Sequence, residues 1–308
     1  MKVWVGVTDK NWFDYLTQQG PDEVNFWQPS GTRNFKVLQP GEPFLFKLHS
    51  PNNFIVGGGF FVRYSAIPAS LAWEAFGIKN GVTSFDELCA RIKRYRSGDS
   101  TLDPIIGCNV LTDPFFLPRH KWIPAPESFS LNIVSGKGYD TSTEDGRALW
   151  EAVRKSLPST SVVEEPALAE YGDTERFGEA FLTRGRLGQG AFRVLVTDAY
   201  MRRCAVTGEK TLPVLEAAHI KPYAQRGPHR INNGLLLRSD LHKLFDLGYV
   251  TVTPDLTLLV SRRLKAEWQN GREYYAYDRK PLTIRPENPA SLPGREFLMW
   301  HNKHRFKE

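Results

Sequence analysis

Residues 233–248 of the C-terminal half read NGLLLRSDLHKLFDLG, and their pattern predicts its local fold. Its first part, Gly234–Arg238, is a short apolar run of the kind that forms a buried strand. Ser239 is a favourable residue for the N-cap of a helix, and Gly248 for the position after its end. Asp240 would lie in the first turn, where the helix dipole favours negative charge. These residues predict a short strand followed directly by a short helix.

A second strand is predicted upstream, at Val214–Ile220, where the sequence reads VLEAAHI. Residues 221–232 separate the two strands and contain Pro222, Gly227 and Pro228, which predict a loop. The complete unit is therefore a strand, a loop, a second strand and a helix.

Four polar residues stand at defined places in this unit. His242 and Asp246 are four residues apart on the predicted helix, so they share a face and could bind one metal ion together. His219, on the first strand, would face that ion across a substrate. A neutral imidazole with a pKa of about 6.5 can accept a proton from water at cellular pH. Asn233 begins the second strand and could hold that imidazole in place.

This pattern resembles the HNH nuclease motif of the ββα-metal fold, with His219 as the first His, Asn233 as the Asn and His242 as the last His. The spacings of nine residues from Asn233 to His242 and four more to Asp246 agree with the pattern of that family. The resemblance extends to the segments RGRLGQGAFR, CAVTG and LEAAHI and covers residues 176–308. It implies hydrolysis of a phosphodiester, with His219 and Asn233 as catalytic residues and His219 as the general base.

The resemblance also implies one divalent metal ion per active site, bound by His242 and Asp246. A mixed nitrogen and oxygen ligand set accepts Mg²⁺, Mn²⁺, Co²⁺ or Ni²⁺, so the sequence leaves the choice of ion open. Many HNH domains place an Asp or His just before the first His, where this chain has Ala218. Glu216 lies on the same face of the strand as Ala218, and whether its side chain is a metal ligand stays open at this point.

Cysteine usage argues against a structural zinc site. Many relatives carry CxxC pairs, but Cys204 is followed by Thr207 in place of the second Cys. We expect Cys204 to be a buried packing residue and no structural zinc to be bound.

Further basic residues flank the motif. Arg184, Arg186 and Arg193 surround a glycine-rich turn and could bind the DNA backbone, or could only solubilise the start of a helix. His301 and His304 lie in a basic segment near the C-terminus, and we expect both on a solvated helix face.

Charge divides the 308 residues into three parts. Residues 1–155 hold 17 Lys and Arg against 16 Asp and Glu, residues 156–175 hold none against five, and residues 176–308 hold 23 against 13. The middle stretch also contains Pro158 and Pro166, so it is predicted to be an acidic linker. We therefore expect domains at residues 1–155 and 176–308, with the basic charge on the half that carries the HNH-like motif.

The N-terminal half alternates short apolar runs with turn signals. Strands are predicted at Val3–Val7, Phe44–Leu48, Phe54–Val56, Gly59–Val62 and Ile105–Leu111, and helices at Asn11–Gln18, Leu71–Phe76 and from an N-cap at Ser84 to Arg94. This mixture predicts an α+β protein whose N-terminal part is a bent sheet or barrel with helices and whose C-terminal part is the ββα-metal unit.

Aromatic residues stand beside amide side chains in two segments of this half. The first segment holds Asn25, Trp27, Gln28 and Pro29, and the second holds Trp73. Aromatic faces can stack a nucleobase while amides read its edge. The simpler interpretation is that Trp27 and Trp73 fill the core, although an indole N–H favours a partly open environment.

The segments DEVNFWQPSG, PGEPFLFKLHSP, IVGGGFF and IGCNVL resemble, in this order, PUA-superfamily (EVE-like) sensor modules. Such modules precede nuclease domains in modification-dependent (type IV) restriction endonucleases, where a modified base is flipped into an aromatic pocket. The resemblance implies a modified-base pocket, for which Asn25, Trp27, Gln28, Pro29 and Trp73 are the candidates. It also implies double-stranded DNA with modified bases as the partner, and modified cytosine is the expected base because related sensors read it.

Three hypotheses cover the whole chain. The first is a metal-dependent endonuclease that cleaves DNA carrying modified bases. The second is a reader of modified bases whose HNH unit is inactive, which Ala218 favours, and the third is an HNH nuclease without modification dependence. One HNH site cuts one strand, so double-strand cleavage would need a homodimer or two successive encounters.

Composition argues against a membrane protein. The longest strongly apolar stretch, Phe54–Val62, has nine residues and is too short to span a bilayer. The N-terminal residues lack the features of a signal peptide, and three cysteines are too few for a disulfide framework. We expect a cytoplasmic protein with no membrane partner.

Overall fold

The computed structural model describes residues 1–32, 34–96, 101–157 and 187–308, which fall into two compact units, Met1–Ala191 and Phe192–Glu308. Both units mix helices with strands, so the α+β class predicted from the sequence is confirmed. Most of the predicted acidic linker, from residue 158 onward, lies outside the described residues. Its first two residues, Ser156 and Leu157, form the end and the C-cap of a helix.

The first unit is built on a mixed sheet of seven strands, and four helices accompany it among the described residues. The strands are β1 (Lys2–Thr8), β2 (Glu23–Gln28), β3 (Pro43–Leu48), β4 (Phe54–Pro68), β5 (Ile105–Phe116), β6 (Ile123–Pro124) and β7 (Gly136–Asp140). The helices are α1 (Lys10–Gln19), α2 (Ala69–Phe76), α3 (Phe85–Tyr95) and α4 (Glu144–Ser156).

The strand order is β2-β5-β4-β3-β1-β7, with β6 paired to β4 outside this path. Strands β1 and β3 run parallel, whereas the other neighbouring strands are antiparallel. Parallel neighbours cannot be joined by a tight turn. The chain between them accordingly passes through α1 and β2 before it returns to the sheet.

Polar side chains cap the N-termini of three of these helices. Asp9, Ser84 and Thr143 each accept a backbone N–H from the first turn of α1, α3 and α4, respectively. Such caps satisfy donors that a helix cannot pair internally. The predicted N-cap at Ser84 is therefore confirmed.

Strand β4 is longer than the sequence pattern indicates. The two predicted runs, Phe54–Val56 and Gly59–Val62, belong to one strand that continues to Pro68. The intervening glycines allow close approach to β5, because a Cβ atom on Gly57 would lie 2.3 Å from the carbonyl oxygen of Phe115. Close packing of two backbones thus explains why a break in the apolar pattern does not end the strand.

The second unit contains the predicted hairpin and a series of short helices. Its elements, starting with a helix that begins just before the unit, are α5 (Gln189–Ala199), β8 (Leu215–His219), β9 (Gly234–Arg238), α6 (Ser239–Asp246), β10 (Val250–Val252), β11 (Leu258–Val260), α7 (Arg262–Trp268), α8 (Arg272–Tyr275) and α9 (Arg295–His304). Phe192 and Val196 of α5 pack with Leu235 of β9 and with Leu241 and Phe245 of α6 in its core. Within the described ranges, no helix is long and apolar enough to cross a membrane.

Candidate active site

The predicted strand–loop–strand–helix arrangement is present in the second unit. Strands β8 and β9 form an antiparallel hairpin in which His219 lies opposite Gly234. Helix α6 follows β9 without a break and packs against both strands. Ser239 is the first helical residue rather than the N-cap, and Gly248 takes a left-handed conformation (φ 78°) beyond the helix end. The hairpin and the helix together position the polar residues predicted from the sequence.

His219 lies at the end of β8 in a largely apolar setting. The Phe192 ring stacks on its imidazole, with ring centroids 3.8 Å apart and planes 15° from parallel. Burial lowers the pKa of His219 to about 4, and the proximity of the His229 and His242 rings is a lesser cause of the same shift. The imidazole is therefore neutral at cellular pH and keeps a lone pair on one ring nitrogen, although the lowered pKa makes it a weaker base than a free imidazole.

A second histidine, His229, meets this imidazole and was not identified from the sequence. The distance between His219 Nε2 and His229 Nδ1 is 2.9 Å, and the two ring planes are 63° apart. On its other side His229 stacks with Tyr223, at a centroid distance of 4.6 Å. The available signal was its position between Pro228 and Arg230 in the loop that joins the two strands.

Asn233 binds the loop rather than the imidazole, which differs from the prediction that it holds His219 directly. Its Oδ1 accepts the Lys221 N–H (2.9 Å), and its Nδ2 donates to the carbonyl oxygens of Lys221 (3.0 Å) and Pro228 (2.9 Å). The residue is fully buried, so these three bonds satisfy most of what its amide can form. The physical reason for the difference is that the loop backbone needs partners as it leaves and rejoins the hairpin.

His242 lies between two carboxylates. Its Nδ1 is 2.5 Å from Glu216 Oε2, and its Nε2 is 3.5 Å from Asp246 Oδ2. An ionised carboxylate can only accept a hydrogen bond, so Nδ1 of His242 carries a hydrogen for Glu216, and in the neutral form of the ring the lone pair is on Nε2. The structure thus brings Glu216, His242 and Asp246 together, with the two carboxylates at different edges of the His242 ring.

This arrangement suits a metal ion with two protein ligands. The described part of the chain contains no group of three or more His, Cys, Asp or Glu side chains that could hold a metal ion. His242 Nε2 and Asp246 nevertheless form a mixed nitrogen and oxygen donor pair, which fits a divalent ion whose other ligands are water and phosphate. Glu216 contacts the other nitrogen of the His242 ring, the position from which residues behind a metal ligand commonly orient it.

Cys204 is fully buried. Its sulfur accepts the backbone N–H groups of Thr207 (3.5 Å) and Arg238 (3.3 Å). The side chain thus ties the Cys204–Gly208 turn to the end of β9.

The remaining basic residues show one clear departure from the sequence prediction. His301, expected on a solvated face, is only 2% exposed, hydrogen-bonds Thr251 Oγ1 (2.8 Å) and lies 3.1 Å from the Phe245 carbonyl oxygen. Helix α9 packs against β10, and this tertiary contact buries the face that carries His301. His304 is exposed as expected. Arg193 is half-buried on α5, whereas Arg184 and Arg186 lie outside the described residues.

The candidate residues of the base pocket lie in the first unit. Asn25 and Trp27 share one face of β2 and both reach Asn80: Asn25 Nδ2 donates to the Asn80 side chain (2.8 Å) and the Trp27 indole to its carbonyl oxygen (3.0 Å). Asn25 is fully buried, yet its Oδ1 has no hydrogen-bond partner. Gln28, Pro29 and Trp73 are half-buried, Trp73 on helix α2.

His219, His242 and Asp246 all lie on the hairpin and helix of the second unit. Residues 204–253 match the HNH endonuclease family, and the C-terminal region therefore carries an HNH endonuclease domain. No curated protein sequence matches the chain significantly.

Three solved structures resemble the chain in part. An ASCH protein from Zymomonas mobilis is 10% identical, with a TM-score of 0.36, and the match covers 49% of this chain and 98% of that one. The modification-dependent TagI restriction endonuclease is 14% identical (TM-score 0.28; 91% and 74% covered). The type IV phosphorothioation-dependent restriction endonuclease ScoMcrA is 11% identical (TM-score 0.21; 78% and 45% covered). These scores are too low for any argument about the fold or activity of this chain.

Proposed function

We propose that this chain is a metal-dependent endonuclease that hydrolyses phosphodiester bonds in DNA carrying modified bases, with modified cytosine as the expected base. One observation carries the nuclease part of the proposal: His219, His242 and Asp246 lie on one hairpin–helix unit inside the segment that matches the HNH family. That combination supplies a neutral base and a pair of metal ligands.

His219 acts as the general base in this proposal. One O–H bond of a water molecule breaks as its proton moves to the imidazole, and the water oxygen forms the new bond to phosphorus. The leaving oxygen departs from the opposite side of the phosphorus and takes a proton from solvent. Because Phe192 covers one face of the imidazole, the ring plane is fixed before the substrate arrives.

His242 and Asp246 would hold a divalent ion, whose charge would stabilise the negative charge that develops on the phosphate and on the leaving oxygen. Glu216 keeps the hydrogen of His242 on Nδ1, so the lone pair of Nε2 faces the side where Asp246 lies. Asn233 contributes by keeping the loop between the strands closed.

The first unit is the proposed sensor of the modified base. Asn25, Trp27, Gln28, Pro29 and Trp73 are the proposed pocket residues. An unpaired buried acceptor such as Asn25 Oδ1 costs about 1–3 kcal/mol, and a hydrogen-bond donor on a bound base would relieve that cost. The half-buried indole of Trp27 lies beside it on the same strand face and offers a surface for stacking.

The basic charge of residues 176–308 supports binding of the DNA backbone. Arg193, with Arg184 and Arg186, is the proposed phosphate contact. Cleavage of both strands would require a homodimer or two successive encounters, because one site cuts one strand.

A second candidate function is a reader of modified bases with an inactive HNH unit. Two observations favour it. Ala218 stands where many HNH domains have a further metal ligand. The described residues also contain no cluster of three or more His, Cys, Asp or Glu side chains that could hold a metal ion. This candidate predicts binding of modified DNA without cleavage under any divalent ion.

The nuclease proposal is tested by incubating modified plasmid DNA with the wild-type chain, His219→Ala and His304→Ala in Mg²⁺, Mn²⁺, Co²⁺ or Ni²⁺. The second variant is the matched control, because His304 is an exposed histidine of the same unit. We expect cleavage by the wild type and His304→Ala and none by His219→Ala. Absence of cleavage by the wild type with every ion, together with intact binding, would establish the reader instead.

A further inference from the structure

The imidazoles of His219 and His229 meet edge to edge, with 2.9 Å between His219 Nε2 and His229 Nδ1. A neutral imidazole has one N–H and one acceptor nitrogen, so a hydrogen bond between two neutral rings fixes both of their tautomers. Which ring donates decides whether His219 can act as a base. If His229 donates, Nε2 of His219 accepts and its Nδ1 carries the hydrogen, which leaves no lone pair for water.

We propose that His229 is a positioning residue of the nuclease site: it accepts the Nε2–H of His219 and thereby presents the Nδ1 lone pair of His219 to the attacking water. The inference rests on the proposed function, since it takes His219 as the general base. It adds a residue and a specified nitrogen to that function.

Two contacts together fix the His219 ring. The Phe192 stack sets the plane of the imidazole but permits a half-turn of the ring about its Cβ–Cγ bond, which returns the ring to the same plane with its nitrogens on the opposite edges. The hydrogen bond to His229 distinguishes the two orientations, because only a ring with Nε2 towards His229 can form it. The nitrogen that accepts the proton is therefore defined before DNA binds.

Contacts on His229 and on the preceding residue hold the His229 ring in place. Tyr223 stacks on its ring with planes 13° from parallel. The carbonyl of the preceding residue, Pro228, accepts Asn233 Nδ2 (2.9 Å) and also the Arg230 N–H (3.0 Å). Asn233 thus acts on the catalytic imidazole through the loop and through His229, rather than by touching it.

His229 also stabilises the charged, protonated form of His219. When His219 takes a proton from water at Nδ1, one O–H bond breaks, one N–H bond forms and the ring becomes an imidazolium. Its Nε2 proton then lies in a hydrogen bond to a second imidazole, and this bond is stronger because one partner is charged. Removing the acceptor nitrogen of His229 removes that stabilisation.

Three substitutions at position 229 separate these roles. His229→Phe keeps an aromatic ring for the Tyr223 stack but loses the acceptor nitrogen, and His229→Ala loses both. His229→Asn places an amide oxygen near the former Nδ1, so it can still accept the Nε2–H. His304→Phe is the matched control at an exposed histidine.

We expect single-turnover cleavage of modified DNA to fall by about 10- to 100-fold in His229→Phe and His229→Ala, as for other residues that orient a catalytic group. His229→Asn should recover most of the rate, and the affinity for DNA measured without metal should change by less than about twofold in all variants. An unchanged rate in His229→Phe, or a loss confined to DNA affinity, would overturn the proposal.

A measurement that needs no cleavage keeps this test separate from that of the proposed function. ¹⁵N NMR of the full chain without DNA at pH 7 reports which ring nitrogen of His219 carries the hydrogen. The proposal requires Nε2–H in the wild type and His229→Asn and a mixture of tautomers in His229→Phe. An Nδ1–H tautomer in the wild type would overturn it, whether or not the chain cleaves DNA.

Discussion

Glu216 Oε2 lies 2.5 Å from Nδ1 of His242, on the edge of the imidazole that faces away from Asp246. The carboxylate accepts the ring N–H and leaves the lone pair of Nε2 available for a metal ion. In the proposed function, Glu216 would therefore orient the His242 ring towards a metal ion rather than bind the ion itself.

The first prediction concerns metal affinity. Glu216→Ala should weaken Mn²⁺ binding by about 10- to 100-fold, because the His242 ring loses the acceptor that orients it. Glu216→Gln retains an acceptor oxygen and should lose only about fivefold, the equivalent of about 1 kcal/mol. Titration calorimetry with Mn²⁺ measures both.

Asp246→Ala, which removes a proposed ligand, should bind Mn²⁺ more weakly than either Glu216 variant. Exposed Glu287 provides the control, since Glu287→Gln should bind like the wild type. Equal losses in Glu216→Gln and Asp246→Ala would show that Glu216 is a direct ligand.

The second prediction concerns the pH dependence of cleavage. Burial holds the pKa of His219 at about 4, below its ordinary value, so the base stays deprotonated down to acidic pH. The single-turnover rate should therefore lose no activity to protonation of His219 between pH 8 and pH 6 and should fall as the pH drops through about 4. A rate profile recorded with the full chain, with folding checked by circular dichroism at each pH, makes the comparison. A fall centred near pH 6.5 would contradict the buried setting of His219.

The third prediction concerns the loop between the two strands. Asn233→Ala removes the side-chain partner of the Lys221 N–H and of the Lys221 carbonyl, at a cost of about 1–3 kcal/mol for each group that stays buried and unpaired, whereas the Pro228 carbonyl keeps its bond from the Arg230 N–H. The loop should open more often, and trypsin should cleave faster after Arg226 and Arg230.

Asn302→Ala is the control for this experiment, because Asn302 also donates to a backbone carbonyl, that of Val252, but lies outside the loop. It should leave cleavage after Arg226 and Arg230 unchanged. Equal protection of the loop in Asn233→Ala and the wild type would argue that the hairpin closes the loop without this amide.

The fourth prediction concerns stability. Burial lowers the pKa of His301 to about 4, whereas a histidine in the unfolded chain has a pKa of about 6.5. Between these values the unfolded chain binds more protons than the folded one, so stability falls as the pH drops through this window, by up to about 3 kcal/mol.

Hydrogen exchange of helix α9 at pH 7.5 and pH 5 tests the role of His301. The free energy of opening should be smaller at pH 5 in the wild type, and this difference should shrink in His301→Gln. An opening free energy that does not depend on pH in the wild type would mean that His301 is accessible in the folded state.

Much of the site follows from local sequence. Gly234–Arg238 is a strand because its apolar run is short and bounded, and its predicted limits are those of β9. His242 and Asp246 meet because a spacing of four residues puts them on one face of α6. Such contacts depend only on chain geometry within one element.

Other features depend on contacts that no local pattern encodes. His229 reaches His219 because the loop returns to the hairpin, and that path is set by the bonds of Asn233 to Lys221 and Pro228. His301 is buried because α9 packs against β10, although its own segment is rich in basic residues. Both outcomes require knowledge of where distant elements pack.

Dependence of cleavage on base modification is tested by comparing one plasmid in two states. The same plasmid, with and without methylated cytosine, is digested by the wild-type chain and by His219→Ala in Mg²⁺, Mn²⁺, Co²⁺ or Ni²⁺. We predict cleavage of the methylated plasmid at least about tenfold faster than of the unmethylated one, a ratio within reach of recognition of a single base, and none by His219→Ala. Equal cleavage of both plasmids by the wild type would contradict this dependence and leave a nuclease without modification dependence.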